Sequence, residues 1–268
     1  MKHIIGFSGG KDSTATAILA HILKKPTPEL VYCKIMFDKQ TSAEVPEHEL
    51  FLQEVAFPKI KKDFGFEIVT VQSEKTYVEL HNTPITKGPR KGMLRGSPTC
   101  KGCWVQRDLK LRPLSKYNKS QPEDSIYYVG IAKDEEDRLL SLAKVNKVSL
   151  LEECGFTEDD AFELCKQHGL LSPIYEFAPR NGCFFCPNAK EPEFRHLRDH
   201  HPDLWNRMLE LERTPGVVKK TYNYDLTLDN IERNFDTEDR QFSIFDFLPE
   251  EQCSCCKNCN NLKEKRSE

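Results

Sequence analysis

Ile4-Ile5-Gly6-Phe7-Ser8-Gly9-Gly10-Lys11-Asp12-Ser13 decides how the rest of the chain is read. An apolar run ends at a serine and paired glycines, and a lysine, an aspartate and a serine follow. Ala15, Ile18, Leu19, Ile22 and Leu23 then recur at helical spacing until Pro26 and Pro28 stop the helix. A strand, a tight turn and a helix start in that order make a natural anion cradle. The glycines let backbone approach the anion, and the first N–H groups and the dipole of the helix point at it. Lys11 adds a full charge, Ser8 and Ser13 add hydroxyls, and Asp12 is suited to hold magnesium. The plain alternative is a glycine turn in a βα unit that binds nothing.

The spacing excludes a loop of the Gly-x-x-x-x-Gly-Lys-Ser/Thr kind. That pattern needs Gly where this chain has Ile5, and Ser or Thr where it has Asp12. Ser8-Gly9-Gly10-Lys11-Asp12-Ser13 instead resembles the PP-loop of the ATP pyrophosphatase superfamily. There the loop grips the pyrophosphate released when ATP is cleaved at its α-phosphate. The resemblance implies adenylyl transfer rather than γ-phosphoryl transfer.

The strand pattern continues along the chain. Leu30 to Phe37 reads as a second strand, with Asp38 at its carboxyl end. A loop with Thr41, Ser42 and Glu44 leads to a helix whose first residue is Pro46. Composition reads Asp38 and Glu44 as solvated loop acids, whereas their place beyond a strand end reads them as nucleotide or metal contacts. Pro58 is expected to break or kink the helix from Pro46, and Phe66 to Val71 forms a third strand. The order βαβαβ is that of a parallel sheet with right-handed crossovers. Ile126 to Ile131 returns to the sheet, and Gly130 at its end allows close approach of a ligand. Arg138 follows Asp134, Glu135, Glu136 and Asp137, and either pairs with them or reaches a phosphate. Thr157 caps a helix that closes at His168 before Gly169.

Between residues 83 and 119 the character changes. From Lys87 onward, Arg90, Lys91, Arg95, Lys101, Arg107, Lys110, Arg112, Lys116 and Lys119 face one acid, Asp108. Basic runs are commonly solvated surface. This one is long and of one sign, and it reads as an insertion facing an anionic acceptor, either a small molecule or a nucleic acid. Trp104 within it is a stacking platform or a packing residue.

The chain has 268 residues, enough for a sizeable core, and a formal net charge of −3, which argues neither for nor against nucleic acid. No apolar run is long enough for a membrane span, no N-terminal signal pattern is present, and the expectation is a cytoplasmic protein without membrane partners. The 11 cysteines are clustered, which in such a chain points to metal or redox work rather than disulfides. Cys100-Lys101-Gly102-Cys103 and Cys183-Phe184-Phe185-Cys186 have matching spacing and together offer four thiolates. Zinc as a structural tie is the first reading, and a 4Fe-4S cluster on the same residues is the alternative. Cys33, Cys154 and Cys165 fall at apolar positions and read as core. Cys253, Cys255, Cys256 and Cys259 near the end would bind a second metal, form a redox pair, serve as a nucleophile, or have no specific role.

Further segments carry a second resemblance. Thr41-Ser42-Ala43-Glu44-Val45-Pro46-Glu47 looks like the Thr-Gly-x-Glu-x-Pro-Glu segment of the phosphoadenosine phosphosulfate (PAPS) reductase family. Val129-Gly130-Ile131 with Asp134 to Arg138 looks like that family's glycine-then-arginine segment. Leu171-Ser172-Pro173-Ile174-Tyr175 and Arg180-Asn181-Gly182-Cys183-Phe184-Phe185-Cys186-Pro187 look like its Pro-x-Tyr and Gly-Cys-x-x-Cys-Pro segments. The chain thus resembles the PAPS-reductase-like branch of the PP-loop fold over roughly Lys2 to Leu211. The implied fold is α/β, a Rossmann-like (HUP-type) parallel sheet flanked by helices, with a cysteine-tied basic insertion and a helical C-terminal part. Residues 1–214 would form that domain, and residues 215–268 an extension with a cysteine-rich tail.

Enzymes that reduce PAPS generally have a degraded PP-loop, because their substrate has no pyrophosphate to hold. Here Lys11 and Asp12 are present, which favours ATP with magnesium as substrate. The resemblance implies that Ser8, Gly9, Gly10, Lys11 and Ser13 hold phosphates, that Asp12 and Asp38 hold the metal, and that Gly130 and Arg138 line the nucleotide site. Lys11, Asp12 and Ser13 would be the catalytic residues of adenylation, with sulfur transfer as one use of the activated acceptor. The alternatives are a thiol-dependent PAPS or adenylyl-sulfate reductase using a tail cysteine, and a nucleotide-binding module without catalysis. The tail lacks the Glu-Cys-Gly kind of motif expected of such a reductase.

Overall fold

The computed structural model describes residues 1–98, 102–142, 147–218, 222–223 and 226–246, with side chains through residue 240. Its centre is a parallel sheet. β1 (His3–Phe7) is followed by α1 (Lys11–Ile22), β2 (Glu29–Lys34) and a long helical path to β3 (Ile68–Gln72). That path begins as α2 (Pro46–Phe51) and passes through a π-helical stretch, Leu52–Ala56. It then makes one turn, α3 (Phe57–Lys59), and a second π-helical stretch, Ile60–Phe64. Of the expected break or kink at Pro58, the break does not occur, and the helical path departs from α geometry on both sides of it. The wider π turns on either side accommodate its missing N–H, and Gly65 at φ 70° ends the path.

α4 (Tyr77–His81) opens the insertion. A π-helical segment, Gln106–Leu111, leads into α5 (Arg112–Lys119) and on to β4 (Ile126–Tyr128). α6 (Glu136–Leu142), β5 (Lys147–Val148), α7 (Leu150–Glu153) and α8 (Glu158–Gln167) complete the sheet layer. A 3-10 turn at Pro173–Glu176 then leads to α9 (Glu191–His200), α10 (Pro202–Glu212) and α11 (Leu228–Asp246). The sheet order is β3-β2-β1-β4-β5 with every pair parallel, an α/β Rossmann-like arrangement. Ile5 sits between Leu30 on β2 and Tyr128 on β4. The chain winds outward from β1 first toward β3 and then toward β5, so the order reverses between β1 and β4. In such sheets the crevice beyond the carboxyl ends at the reversal is where ligands bind.

Two apolar clusters hold the molecule. The first joins the sheet to α1, α7 and α8 through Ile5, Phe7, Ile18, Leu30, Tyr32, Leu150 and Cys165. α1 is buried on nearly every side from Ser13 to Ala20. It can be, because small residues (Ala15, Ala17, Ala20) and short hydroxyls (Thr14, Thr16) fill its surface. The second cluster lies beyond the carboxyl ends of β2 and β3. It gathers Phe37, Tyr77, Trp104, Phe184, Phe185 and Trp205 with Tyr222, Leu228, Ile231 and Phe235. Trp104 stacks on Tyr77 with centroids 5.4 Å apart and is buried, so it packs rather than presenting a platform. α11 was not legible in the sequence, yet Leu228, Ile231 and Phe235 bury one of its faces in this cluster. Among the described residues no helix is long and apolar enough to cross a membrane.

Candidate functional site

The turn after β1 lies at the reversal point, and its hydroxyls are committed internally. Ser8 N–H donates to Ser13 Oγ (3.1 Å), Ser13 Oγ donates to the Gly10 carbonyl (3.0 Å), and Gly10 N–H reaches Ser8 Oγ (3.4 Å). Ser8 and Ser13 thus shape the turn, and Ser8 Oγ also lies 3.2 Å from Ser13 Oγ. The open donors are backbone. Among the described residues, the N–H groups of Gly9, Asp12 and Ser13 meet no protein acceptor, and Thr14 N–H is the first to close a helical bond, to Gly10 at 3.0 Å. An unfilled helix N-terminus of this kind, with its dipole, favours an anion.

Residues from distant parts of the chain brace the turn from behind. His48 is buried, with Nε2 at 3.1 Å from the Ser8 carbonyl and Nδ1 at 2.8 Å from Ser172 Oγ. A carbonyl can only accept, so Nε2 carries the proton and Nδ1 accepts from the serine. Burial lowers the pKa of His48, and the imidazole acts as a neutral strut. Asn181 Nδ2 donates to the same Ser8 carbonyl at 3.1 Å, Tyr175 Oη accepts the Lys11 N–H at 2.7 Å, and Cys165 Sγ points at the Lys11 carbonyl at 3.2 Å. Gly9 has φ 72°, and a Cβ there would lie 2.2 Å from Leu52 Cδ2. A Cβ on Gly10 would lie 2.5 Å from Asn181 Oδ1, and one on Gly130 would lie 2.6–2.8 Å from the backbone of Asp12 and Ser13. Gly130 thus lets the β4 turn lie directly against the start of α1.

Lys11 lies over the turn with its side chain only 12% exposed, 2.8 Å from Asp12 and 3.3 Å from Glu158. Burial pulls its pKa down, but the two carboxylates outweigh burial and hold it above the usual lysine value. Asp12 is raised, because its own burial outweighs the attraction of Lys11. Lys11 and Asp12 are therefore a preformed ion pair at the mouth of the cradle, and each is available to exchange its partner for a phosphate or a cation. Glu158 was not anticipated, since it enters from the first turn of α8 with no local pattern to mark it.

The other expected residues divide. Asp38 is neither a solvated acid nor an open one. Its Oδ1 accepts from the N–H groups of Gln40 and Thr41, each at 2.7 Å, while Oδ2 pairs with Arg207 of α10. Burial opposes ionisation, but these donors hold its carboxyl well below the usual range, at about 2. Arg138 is exposed and pairs with Glu135, whose other oxygen accepts from Ala132 N–H at 3.1 Å. Glu44 has Oε2 buried without a hydrogen-bond partner among the described residues, and burial pushes its carboxyl up to about 7. In the basic insertion, buried Asp108 binds Arg95 and Arg107 at 2.8 Å and Arg112 at 3.2 Å. These three arginines share a partner, whereas Lys87, Arg90 and Lys91 face solvent.

Cys103, Cys183 and Cys186 pack against the second cluster, and Cys100 lies outside the described residues. Gln106 N–H points at Cys103 Sγ (3.5 Å), and Arg180 Nη2 points at Cys186 Sγ (3.2 Å). Donors of this kind suit thiolates, as a metal or cluster would require. Burial raises the thiols of Cys103 and Cys183. A closed zinc site with Zn–S of about 2.3 Å holds its sulfurs about 3.8 Å apart. Among the described residues, the sulfurs of Cys103, Cys183 and Cys186 do not all come within 4.8 Å of one another. A single zinc would have to draw them together. The tail cysteines 253, 255, 256 and 259 also lie outside the described residues. No protein-family model and no curated protein matched the chain.

Proposed function

We propose that the chain is a PP-loop enzyme of the PAPS-reductase-like kind. On this reading it binds ATP and cleaves it at the α-phosphate, releasing pyrophosphate and adenylating an acceptor. The observation that carries the reading is the unfilled N-terminus of α1 at the sheet's reversal point, with Lys11 held above it. The N–H groups of Gly9, Asp12 and Ser13 would receive the pyrophosphate, Lys11 would neutralise charge developing on it, and Asp12 would hold magnesium. Fixed donors aimed at developing charge are worth about 10²–10³ in rate each. The basic face with Lys87, Arg90 and Lys91 would draw in an anionic acceptor. The cysteine set, completed by Cys100, would hold zinc or a 4Fe-4S cluster, and the cluster form would suit transfer of sulfur to the adenylated acceptor.

The test is pyrophosphate release from ATP and magnesium, with and without candidate acceptors. Lys11→Ala is expected to reduce release at least about 100-fold with an unchanged circular dichroism spectrum. Retained release in Lys11→Ala would overturn the assigned role of Lys11, and reduction of PAPS by thiol without ATP consumption would replace this reading with the reductase one.

A further inference from the structure

Glu47, His196 and His201 come from distant parts of the chain and meet at one carboxylate oxygen. His196 Nε2 lies 2.7 Å and His201 Nε2 2.9 Å from Glu47 Oε1. All three ligand atoms fall within 4.8 Å of one another. Glu47 stands in the first turn of α2, His196 on α9, and His201 at the joint between α9 and α10. We propose that these residues form a binding site for a divalent transition-metal ion of the Zn²⁺ type, with at least one coordination position open to water.

The arrangement is incomplete as a purely hydrogen-bonded triad. Both imidazoles crowd onto Oε1, while Oε2 of the same carboxylate is buried without a hydrogen-bond partner among the described residues. Buried carboxylate oxygens are ordinarily satisfied, and a cation between the three groups would use the carboxylate fully. The donor set of two imidazoles and one carboxylate is that of zinc sites that keep an open position, with ligand distances of about 2.0–2.2 Å. Tetrahedral geometry at those distances spaces ligand atoms about 3.3–3.6 Å apart, so the groups need to spread by about half an ångström or slightly more. The ligands are also oriented in advance. His196 stacks face to face on Phe177 with centroids 3.6 Å apart and planes within 7°. Each ligand is partly exposed, at 18% for His196, 21% for His201 and 30% for Glu47, which leaves room for entry and for a bound water. The site uses none of the cysteines as ligands and does not depend on the ATP reading.

The full-length protein, stripped with a chelator and dialysed, is loaded with Zn²⁺ and its tightly held metal counted. His201→Ala and Glu47→Gln are each expected to hold about one equivalent fewer than the parent, with circular dichroism unchanged. Equal counts in parent and variants would overturn the site. Should either variant fold poorly, His201→Cys loaded with Co²⁺ replaces it. A new sulfur-to-cobalt charge-transfer band beyond that of the parent supports the site, and an unchanged spectrum overturns it.

Discussion

The turns after β1 and β2 leave the same edge of the same sheet, yet they use their polar groups in opposite ways. The β1 turn spends its serine hydroxyls on itself and leaves backbone N–H groups open beside the Lys11–Asp12 pair. The β2 turn directs its acid inward. Asp38 takes two backbone donors and Arg207, and Arg207 also binds Thr41 Oγ1 (3.0 Å) and lies over the Phe37 ring (4.6 Å). A position beyond a strand end therefore does not by itself leave a polar group unpaired. What distinguishes the two turns is which groups the fold leaves unsatisfied.

The largest expected effect comes from closing the gap between β4 and α1. Gly130→Ala would press a methyl into the backbone of Asp12 and Ser13, which cannot move without displacing the helix start. Overpacking of this sort costs about 1–3 kcal/mol, and this site belongs at the upper end because backbone rather than a side chain must yield. Urea denaturation should show the loss, and ATP affinity should fall with it. A Gly130→Ala protein of parental stability and affinity would mean that the β4 turn does not set the geometry of the cradle.

Next in size is the strut behind the turn. Asn181→Ala removes the donor to the Ser8 carbonyl, which keeps His48. The loss of one hydrogen bond of two is expected to cost about 1 kcal/mol, seen as a lower urea midpoint. Gly10→Ala should lose the same bond by expelling Asn181, since its Cβ would meet the carboxamide. If the double variant is no less stable than either single one, the two act through one contact. Additive losses would instead give Gly10 a role apart from Asn181.

The parts of this architecture that were legible in the sequence are those written locally. The turn from Ser8 to Ser13, the helix capped by Thr157 and Asp160, and the Pro46 helix start each depend on neighbours a few residues away. β5 escaped because two residues, Lys147 and Val148, carry no periodicity. α11 escaped because Leu228, Ile231 and Phe235 form a narrow stripe among acids. The supporting residues of the site are a different matter. Tyr175 and Asn181 stand in segments that carried the family resemblance, but what they touch is 164 and 173 residues away. No local pattern marks His48 or Glu158, and nothing in the sequence pairs Glu47 with His196 across 149 residues. Residue types at strand ends are visible in a sequence, whereas their satisfaction by distant side chains is not.

The smallest effect tests the inward-facing turn by pH. The carboxyl of Asp38 is held at about 2 in the folded protein, below the value of about 3.9 expected for an unfolded aspartate. A depressed folded pKa contributes stability above the unfolded value, and that contribution is lost as pH falls through the window toward 2. Arg207→Ala removes the guanidinium but leaves the donors of Gln40 and Thr41, so part of the depression should survive. The difference in stability between parent and Arg207→Ala, followed by thermal melts from pH 7 to pH 2, should be largest at neutral pH and shrink below about pH 4. Pyrophosphate release at neutral pH should change by less than about tenfold, since Asp38 acts on its own loop and not on the cradle. A difference independent of pH would assign the role of Arg207 to its packing over Phe37. A collapse of turnover would return Asp38 to the site and erase the distinction between the two turns.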